Sequence, residues 1–257
     1  MVNALFQQDN DIYIPTEMTT GPWGPDRLHG GAIAGLLGYA LENASTREEL
    51  AFARPVPLGP LKVETNVVRD GNRLEVLEAT ILANDAPVAK GSLLKIKPTQ
   101  IEVPEHGVPS ACAIAHPDDV EVLTISGDRI DRPLPPNFLK NIEIKCISGF
   151  QGSGSGQAWF RLLLPLIEGK ENSPFVRLAS ICDFGNGLAQ LKPINSGGSI
   201  NADITLYLHR IPSSDWIGLD SKSIMQEQGI GLVNTQLYDP QGLIGTISQA
   251  IMPQPMR

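Results

Sequence analysis

The stretch at residues 28–42 (LHGGAIAGLLGYALE) predicts a helix that is buried on all sides. Its apolar residues leave no polar stripe before Glu42, whereas a surface helix shows one polar face. Gly31, Gly35 and Gly38 are spaced so that they share one face of this helix. Each glycine costs roughly 1 kcal/mol of helix propensity relative to alanine. This cost indicates that something, most simply a sheet or a ligand, comes very close to the helix backbone; the alternative is a glycine-rich core helix without chemistry.

Alternating apolar and polar positions predict strands on both sides of this helix. In the first half they are expected at residues 4–6, 11–14, 51–58, 61–69, 73–84 and 88–96. Residues 98–136 are rich in proline and acidic residues and lack periodicity, which is typical of a linker; a little helix is expected at 118–123. In the second half a helix at 174–191 is expected after the strands at 142–148 and 157–164. Further strands are expected at 202–209, 216–226, 232–238 and 243–252.

The two halves match each other at an offset of 156 residues, which indicates a tandem duplication. Residue type and spacing agree over some forty positions. The matched pairs are Phe52 with Leu208, Arg54 with Arg210, Leu61 with Ile217, Val63 with Leu219, Thr65 with Ser221, Leu74 with Ile230, Leu82 with Tyr238 and Val88 with Ile244. We therefore expect an α+β pseudo-dimer in which each long antiparallel sheet wraps one helix and the two sheets are joined or face each other. The predicted units are 1–98, a linker at 99–137, and 138–257.

Composition narrows the class of protein. The net charge is −8 and the sequence pI is ≈ 5.0, which argues against nucleic acid or an anionic membrane as the main partner. The three cysteines are widely spaced and show no CxxC pattern, so no metal site is predicted and reduced thiols are expected. No signal peptide and no bilayer-spanning run is predicted. A cytoplasmic protein without a cofactor is the expectation.

The residues of both halves resemble the TesB-type acyl-CoA thioesterases, which have a double hotdog fold. The matching segments are LHGGAIAGLLGYALE and ARPVPLGPLKVETNVVRDGNRLEVLEATI in the first half, and LASICDFGNG, NADITLYLHRIP and GLIGTISQAIMPQ in the second. This resemblance implies two tandem hotdog units, an acyl-CoA substrate and hydrolysis of its thioester. Exposed sheet edges could pair two chains, so a homo-oligomer is left open.

The same resemblance implies the residues that hold the attacking water. An Asp late in the second-half helix corresponds to Asp183, and a Gln near the end of the chain corresponds to Gln249. The family's Thr or Ser falls at Asn201, which is a departure. Either Ser199 or Thr205 supplies the hydroxyl instead, or the network is altered.

The residues also suggest a site by their own chemistry. Asp183 is a carboxylate in an apolar run, so it is a candidate general base; the alternative is a carboxylate that caps an irregular helix. Gly30 and Gly31 at a helix N-terminus can point amides at an oxyanion. The single-hotdog thioesterases, which this sequence also resembles, have a His-Gly-Gly segment in this role and a carboxylate about nine residues further on, supplied by the partner subunit's helix. Here Asp183 lies nine residues after Pro174, whereas the ninth residue after His29 is Gly38. This resemblance implies that each half supplies one part of a single site at the pseudo-dimer interface.

Three assignments have an ordinary structural alternative. His29 either donates to the thioester or holds its loop, and Trp23 either covers the acyl chain or packs the loop. Gln249 either holds water or lies on a solvated face. Two rival functions remain open: an enoyl-CoA hydratase or dehydratase that uses His29 with Asp183, and a non-catalytic acyl-CoA or lipid binder.

Overall fold

The computed structural model describes residues 3–22, 24–44, 49–52, 56–107, 111–122, 137–150, 152–192 and 196–255. Its elements are β1 (Phe6–Asp9), β2 (Ile12–Pro15), α1 (Gly30–Ala44), β3 (Glu49–Phe52), β4 (Leu61–Asp70), β5 (Leu74–Ala83), β6 (Ala86–Ile96), β7 (Ile142–Ser148), β8 (Ser155–Leu162), α2 (Pro174–Ile181), α3 (Phe184–Leu188), β9 (Ser196–Asn201), β10 (Asp203–Leu208), β11 (Ile217–Met225), β12 (Gly231–Asp239) and β13 (Gly242–Pro255). The strands form one antiparallel sheet in the order β1-β2-β4-β5-β6-β3-β10-β13-β12-β11-β8-β7, with β9 paired to β13.

This strand order is symmetric about the β3–β10 pair, as the internal repeat predicts. Strands β4 and β6 begin at Leu61 and Ala86, and their counterparts β11 and β13 begin 156 residues later. Glu49 and Thr205, which the same offset makes equivalent, are direct register partners. A pseudo-twofold axis therefore passes between them, and the expected α+β tandem hotdog is confirmed with its two sheets joined. The boundaries 1–98, 99–137 and 138–257 remain a prediction.

Helices α1 and α2 lie side by side inside this sheet, and their core residues form one cluster that spans both halves. They run antiparallel, because the start of α1 lies at the end of α2 and the Ser173 hydroxyl before α2 donates to Glu42 near the end of α1 at 2.5 Å. The contact is formed by the glycine face of α1. A β-carbon at Gly31 would collide with the carbonyl oxygen of Ser180, and one at Gly35 would collide with the Ser180 hydroxyl.

The expectation that a sheet or a ligand covers these glycines was therefore wrong. The neighbour is α2, because the pseudo-twofold axis places the two helices against each other. A glycine face lets two backbones approach closely whatever the partner, so the sequence could not identify the partner.

Two more expectations need correction. The helix predicted at 174–191 is broken, since α2 ends at Ile181 and α3 begins at Phe184. Cys182 and Asp183 keep right-handed helical dihedral angles. The break is therefore one in the hydrogen-bond pattern and not in the backbone conformation. Strand β9 was not predicted, because its sequence SGGSIN has no alternating pattern.

The first strand begins at Phe6 rather than residue 4, and the helix expected at 118–123 is a 3-10 turn at Pro117–Asp119. Around Ile114 the linker packs on the second-half sheet, whereas residues 101–107 are exposed. Ile114 clusters with Trp159 and Tyr238, and the Trp159 indole donates to the Ala115 carbonyl at 2.8 Å.

We predict that Gly35→Ala destabilises the fold by about 1–3 kcal/mol, because overpacking of a tight core has that cost. Alanine would otherwise gain roughly 1 kcal/mol of helix propensity. Adding Ser180→Ala removes the colliding hydroxyl and should recover most of the loss. Denaturant unfolding of the single and double variants measures both effects. A Gly35→Ala protein as stable as the wild type would contradict the described helix contact.

Candidate active site

The N-terminus of α1 is held by backbone hydrogen bonds at His29 and at the residue before it. The His29 amide donates to the Thr19 carbonyl at 2.8 Å, and the Leu28 amide donates to the Val56 carbonyl at 2.9 Å. The Gly31 amide donates to His29 Nδ1 at 3.0 Å. Of the two amides that the sequence suggested for an oxyanion, the Gly31 amide is thus engaged by the imidazole. The Gly30 amide is among the first four of α1, which have no acceptor within a helix.

Asp183 lies at this same helix N-terminus, so the structure brings together the two parts that the sequence assigned to different halves. A β-carbon at Gly30 would lie 2.6 Å from Asp183 Oδ2 and 2.7 Å from Oδ1. The side chain is 8% exposed and does not cap α3 by a hydrogen bond. The capping alternative for Asp183 therefore does not hold at α3. The positive end of the α1 dipole favours a carboxylate at this position.

Asn201 fixes the orientation of this carboxylate. Its Nδ2 donates to Asp183 Oδ1 at 2.7 Å, and its Oδ1 is buried without a hydrogen-bond partner among the described residues. The Ser199 hydroxyl instead donates to Asn186 Oδ1 at 2.8 Å. Of Asn201, Ser199 and Thr205, Asn201 is the one with a side-chain bond to Asp183 in the described structure.

Gln249 lies on the same inner face of the sheet as Asn201. Asn201 is the register partner of Ile251, and Gln249 precedes Ile251 by two residues, so all three side chains point to one face. Gln249 is 0% exposed, which excludes the solvated-face alternative. Within the described chain neither its Oε1 nor its Nε2 has a hydrogen-bond partner. A β-carbon at Gly185 would lie 2.5 Å from Gln249 Oε1.

The imidazole of His29 is packed among aromatic rings and carries no charge at neutral pH. Its ring centroid lies 4.7 Å from that of Phe138 and 5.4 Å from that of Phe184. Burial lowers the pKa of His29, and Asp183, whose Oδ2 lies 3.4 Å from Nδ1, only partly opposes this shift. The bond that Nδ1 accepts from Gly31 requires that this nitrogen be unprotonated, which agrees with the lowered pKa.

Comparison of equivalent positions in the two repeats distinguishes the polar residues of the site from ordinary core residues. At the offset of 156, Gln249 corresponds to Leu93 and Thr235 corresponds to Ala79, and both first-half residues are buried. Sequence reasoning missed Thr235 and the buried hydroxyl of Ser221 beside it. Comparing the two repeats for polar residues opposite apolar ones is a signal that could have found Thr235.

Trp23, the candidate cover of the acyl chain, and Arg54, the repeat equivalent of Arg210, fall outside the described residues. Among the described residues no group of His, Cys, Asp and Glu could hold a metal ion. No helix in the described ranges combines the length and apolar character needed to span a bilayer.

Comparison with protein families accounts for most of the chain. Residues 19–95 match the acyl-CoA thioesterase N-terminal domain, and residues 116–252 match the acyl-CoA thioesterase C-terminal domain. The chain belongs to the acyl-CoA thioesterase family. It is an enzyme of the thioester hydrolase class, and the family assignment made from the sequence is confirmed. No protein of curated function matches this thioesterase by sequence.

Solved structures share the fold of this thioesterase at low sequence identity. A hotdog-fold protein of unknown function from Alicyclobacillus acidocaldarius superposes with a TM-score of 0.71 at 14% identity, covering 98% of this chain and 96% of its own. An acyl-CoA thioesterase II from Mycobacterium marinum gives 0.66 at 16% identity, with the same coverage of 98% and 96%. The TesB protein of Mycobacterium avium subspecies paratuberculosis gives 0.63 at 16% identity, covering 97% and 96%.

We predict that His29 makes the stability of this thioesterase fall with pH below about 6.5, the pKa of an ordinary histidine. Since the pKa of His29 is lowered in the folded state, the unfolded chain binds the proton more readily, and acid therefore favours unfolding. His29→Asn keeps an acceptor for the Gly31 amide and removes the titrating group. Melting temperatures of both proteins from pH 8 to pH 5 measure the effect.

The difference in melting temperature, wild type minus His29→Asn, should decrease as the pH falls, because the other titrating groups are common to both proteins. A difference that stays constant or grows on acidification would show that His29 is not buried as a neutral imidazole.

Proposed function

We propose that this protein hydrolyses the thioester of a fatty or related acyl-CoA to the free acid and CoA, with water activated by Asp183. The observation that carries the proposal is the Asp183 carboxylate at the N-terminus of α1. It lies against Gly30 and is oriented by Asn201. A general base needs such a fixed position within reach of the proton that it accepts.

The attack of water on the thioester uses both the carboxylate and the helix terminus. Water attacks the thioester carbon while its proton passes to Asp183, and the carbonyl oxygen becomes an oxyanion. The Gly30 amide and the α1 dipole stabilise this developing charge. The carbon–sulfur bond then breaks, and the CoA thiolate takes the proton back from Asp183.

Asn201 and Gln249 are the proposed holders of the attacking water. Asn201 Nδ2 is bonded to Asp183, so its buried, unpartnered Oδ1 is the atom that can accept a hydrogen bond from water. Gln249 is buried with an unpartnered amide on the same face of the sheet. Buried polar atoms are rarely left without partners, which supports a water or substrate oxygen at this point.

Thioester hydrolysis fits the site better than the hydratase alternative. A hydratase would need His29 to exchange a proton with Asp183. His29 Nδ1 accepts the Gly31 amide bond, and burial lowers the pKa of the imidazole, so this side chain is suited to holding the helix terminus. We also propose a cytoplasmic location, which agrees with the absence of a disulfide at Cys112, Cys146 and Cys182 in the described structure.

We predict that Asp183→Asn lowers kcat by about 10²–10⁴-fold, the usual contribution of a general base. Asn201→Ala should lower kcat by about 10- to 100-fold, because a hydrogen bond to a charged group is worth about 1.5–3 kcal/mol. Release of free thiol from short, medium and long acyl-CoAs measures turnover, and circular dichroism checks the fold.

Asp220→Asn is the matched control, because its carboxylate bonds to Gln157 and not to the site. We expect it to retain wild-type turnover. Full activity in Asp183→Asn would overturn the assigned base. Acyl-CoA binding without thiol release would support a binder, and hydration of an enoyl-CoA without CoA release would support a hydratase.

A further inference from the structure

Two buried hydroxyl side chains, Ser221 and Thr235, lie beneath α3 next to Gln249 and take no direct part in the proposed reaction. Ser221 and Thr235 are register partners on β11 and β12, and their hydroxyl oxygens are 2.8 Å apart. Both are buried, at 0% and 1% exposure. Thr235 pairs with Ile247 on β13, and Gln249 follows two residues later on the same face. Thr235 and Gln249 are thus diagonal neighbours, which lie within reach of each other in a sheet.

Gly185 is the point of α3 at which these side chains meet the helix. A β-carbon there would lie 2.5 Å from Gln249 Oε1 and 2.7 Å from Thr235 Oγ1. Both oxygens therefore sit against one backbone position, two residues after Asp183. Gly187, on the same helix, has open space where its β-carbon would be. A side chain would therefore collide with its neighbours at Gly185 but not at Gly187.

The hydrogen-bonding capacity of this group is incompletely used. Gln249 Oε1 is a buried acceptor without a donor in the described structure. In the Ser221–Thr235 pair either hydroxyl can be the donor. When Ser221 donates to Thr235, the Thr235 proton becomes free for another acceptor, and Gln249 Oε1 lies beside the same glycine.

We propose that Thr235 is a positioning residue for Gln249. Ser221 donates to Thr235, and Thr235 in turn donates to Gln249 Oε1 once the two side chains move into hydrogen-bond distance, a bond that the described structure does not contain. The amide is thereby turned so that Nε2 faces the water between Asp183 and Asn201. Gly185 allows the two oxygens to approach each other under α3. This inference rests on the proposed hydrolysis, and it adds a hydroxyl relay that acts only through the orientation of Gln249.

The first test removes the hydroxyl and keeps the shape. Thr235→Val should lower kcat about tenfold with KM changed less than twofold, because the relay orients Gln249 and does not contact the acyl-CoA. Thr235→Ser should restore at least half of the wild-type kcat. Ser221→Ala should have a smaller effect and should add nothing in the Thr235→Val background, since the two hydroxyls act in series.

Ser223→Ala is the matched control for Ser221→Ala. Ser223 is a buried serine on the same strand and the same face, and its hydroxyl has no partner in the described structure. We expect wild-type kcat in this variant. Gly185→Ala should lower kcat by at least tenfold through displacement of Gln249, whereas Gly187→Ala should leave it unchanged.

A second readout does not depend on turnover. The side-chain amide resonances of Gln249, assigned by their loss in Gln249→Leu, should shift in Thr235→Val and remain in place in Ser223→Ala. The same measurement decides the proposal for variants with low activity, and Thr235→Ala, which also removes the hydroxyl, serves if Thr235→Val does not fold.

The outcomes separate this inference from the proposed function. Wild-type thiol release that needs Asp183, together with an unchanged kcat and unchanged Gln249 resonances in Thr235→Val, would overturn the relay alone. No thiol release from the wild type, with shifted Gln249 resonances in Thr235→Val, would overturn the hydrolysis and leave the relay standing. Equal losses in Thr235→Ser and Thr235→Val would also overturn the relay.

Discussion

The close contact between α1 and α2 is the constraint on which the rest of the structure depends. Gly31 and Gly35 place the α1 backbone directly against Ser180, at a separation that leaves no room for β-carbons. The same approach brings the Asp183 carboxylate over Gly30 at the positive end of α1. Helices held apart by larger side chains would keep the fold's hydrophobic pattern but would remove the carboxylate from the helix terminus.

The duplication produces two similar helix N-termini, those of α1 and α2, and the side chains around them differ in chemistry. At one end Asp183, which is hydrogen-bonded by Asn201, lies against Gly30 at the start of α1. At the other end Ser173 caps α2 by accepting from the Val176 amide and donates to Glu42, so its hydroxyl is satisfied locally. The second half also carries a buried polar residue, Gln249, where its repeat equivalent Leu93 is apolar. The pseudo-symmetry of the backbone therefore does not extend to function.

Two ionisable side chains lie together at the site but have different roles. The neutral imidazole of His29 accepts the Gly31 amide and stacks with Phe138, which makes it a support for the helix terminus. Asp183 is hydrogen-bonded by Asn201 and lies against the helix end, which supports its proposed role as the group that exchanges a proton. This division separates the preorganisation of the site from its acid–base chemistry.

Much of the fold follows from local patterns in the sequence. The alternation of apolar residues, the repeat at 156 and the apolar character of residues 28–42 each report burial and periodicity, which are properties of one segment at a time. The spacing of Asp183 from Pro174 even suggested that Asp183 and Gly30 belong to one site. The family followed from residues in both halves.

The remaining features depended on contacts between distant segments. The neighbour of the glycine face, the unpaired amide of Gln249 and the relay partner Thr235 are set by sheet register and helix packing, which no single segment encodes. Strand β9 likewise depends on its pairing with β13. Local patterns thus predict the buried helix, most strands and their repetition. Which side chains meet at the site depends on how the two halves pack around their shared axis, and that packing is not a property of any one segment.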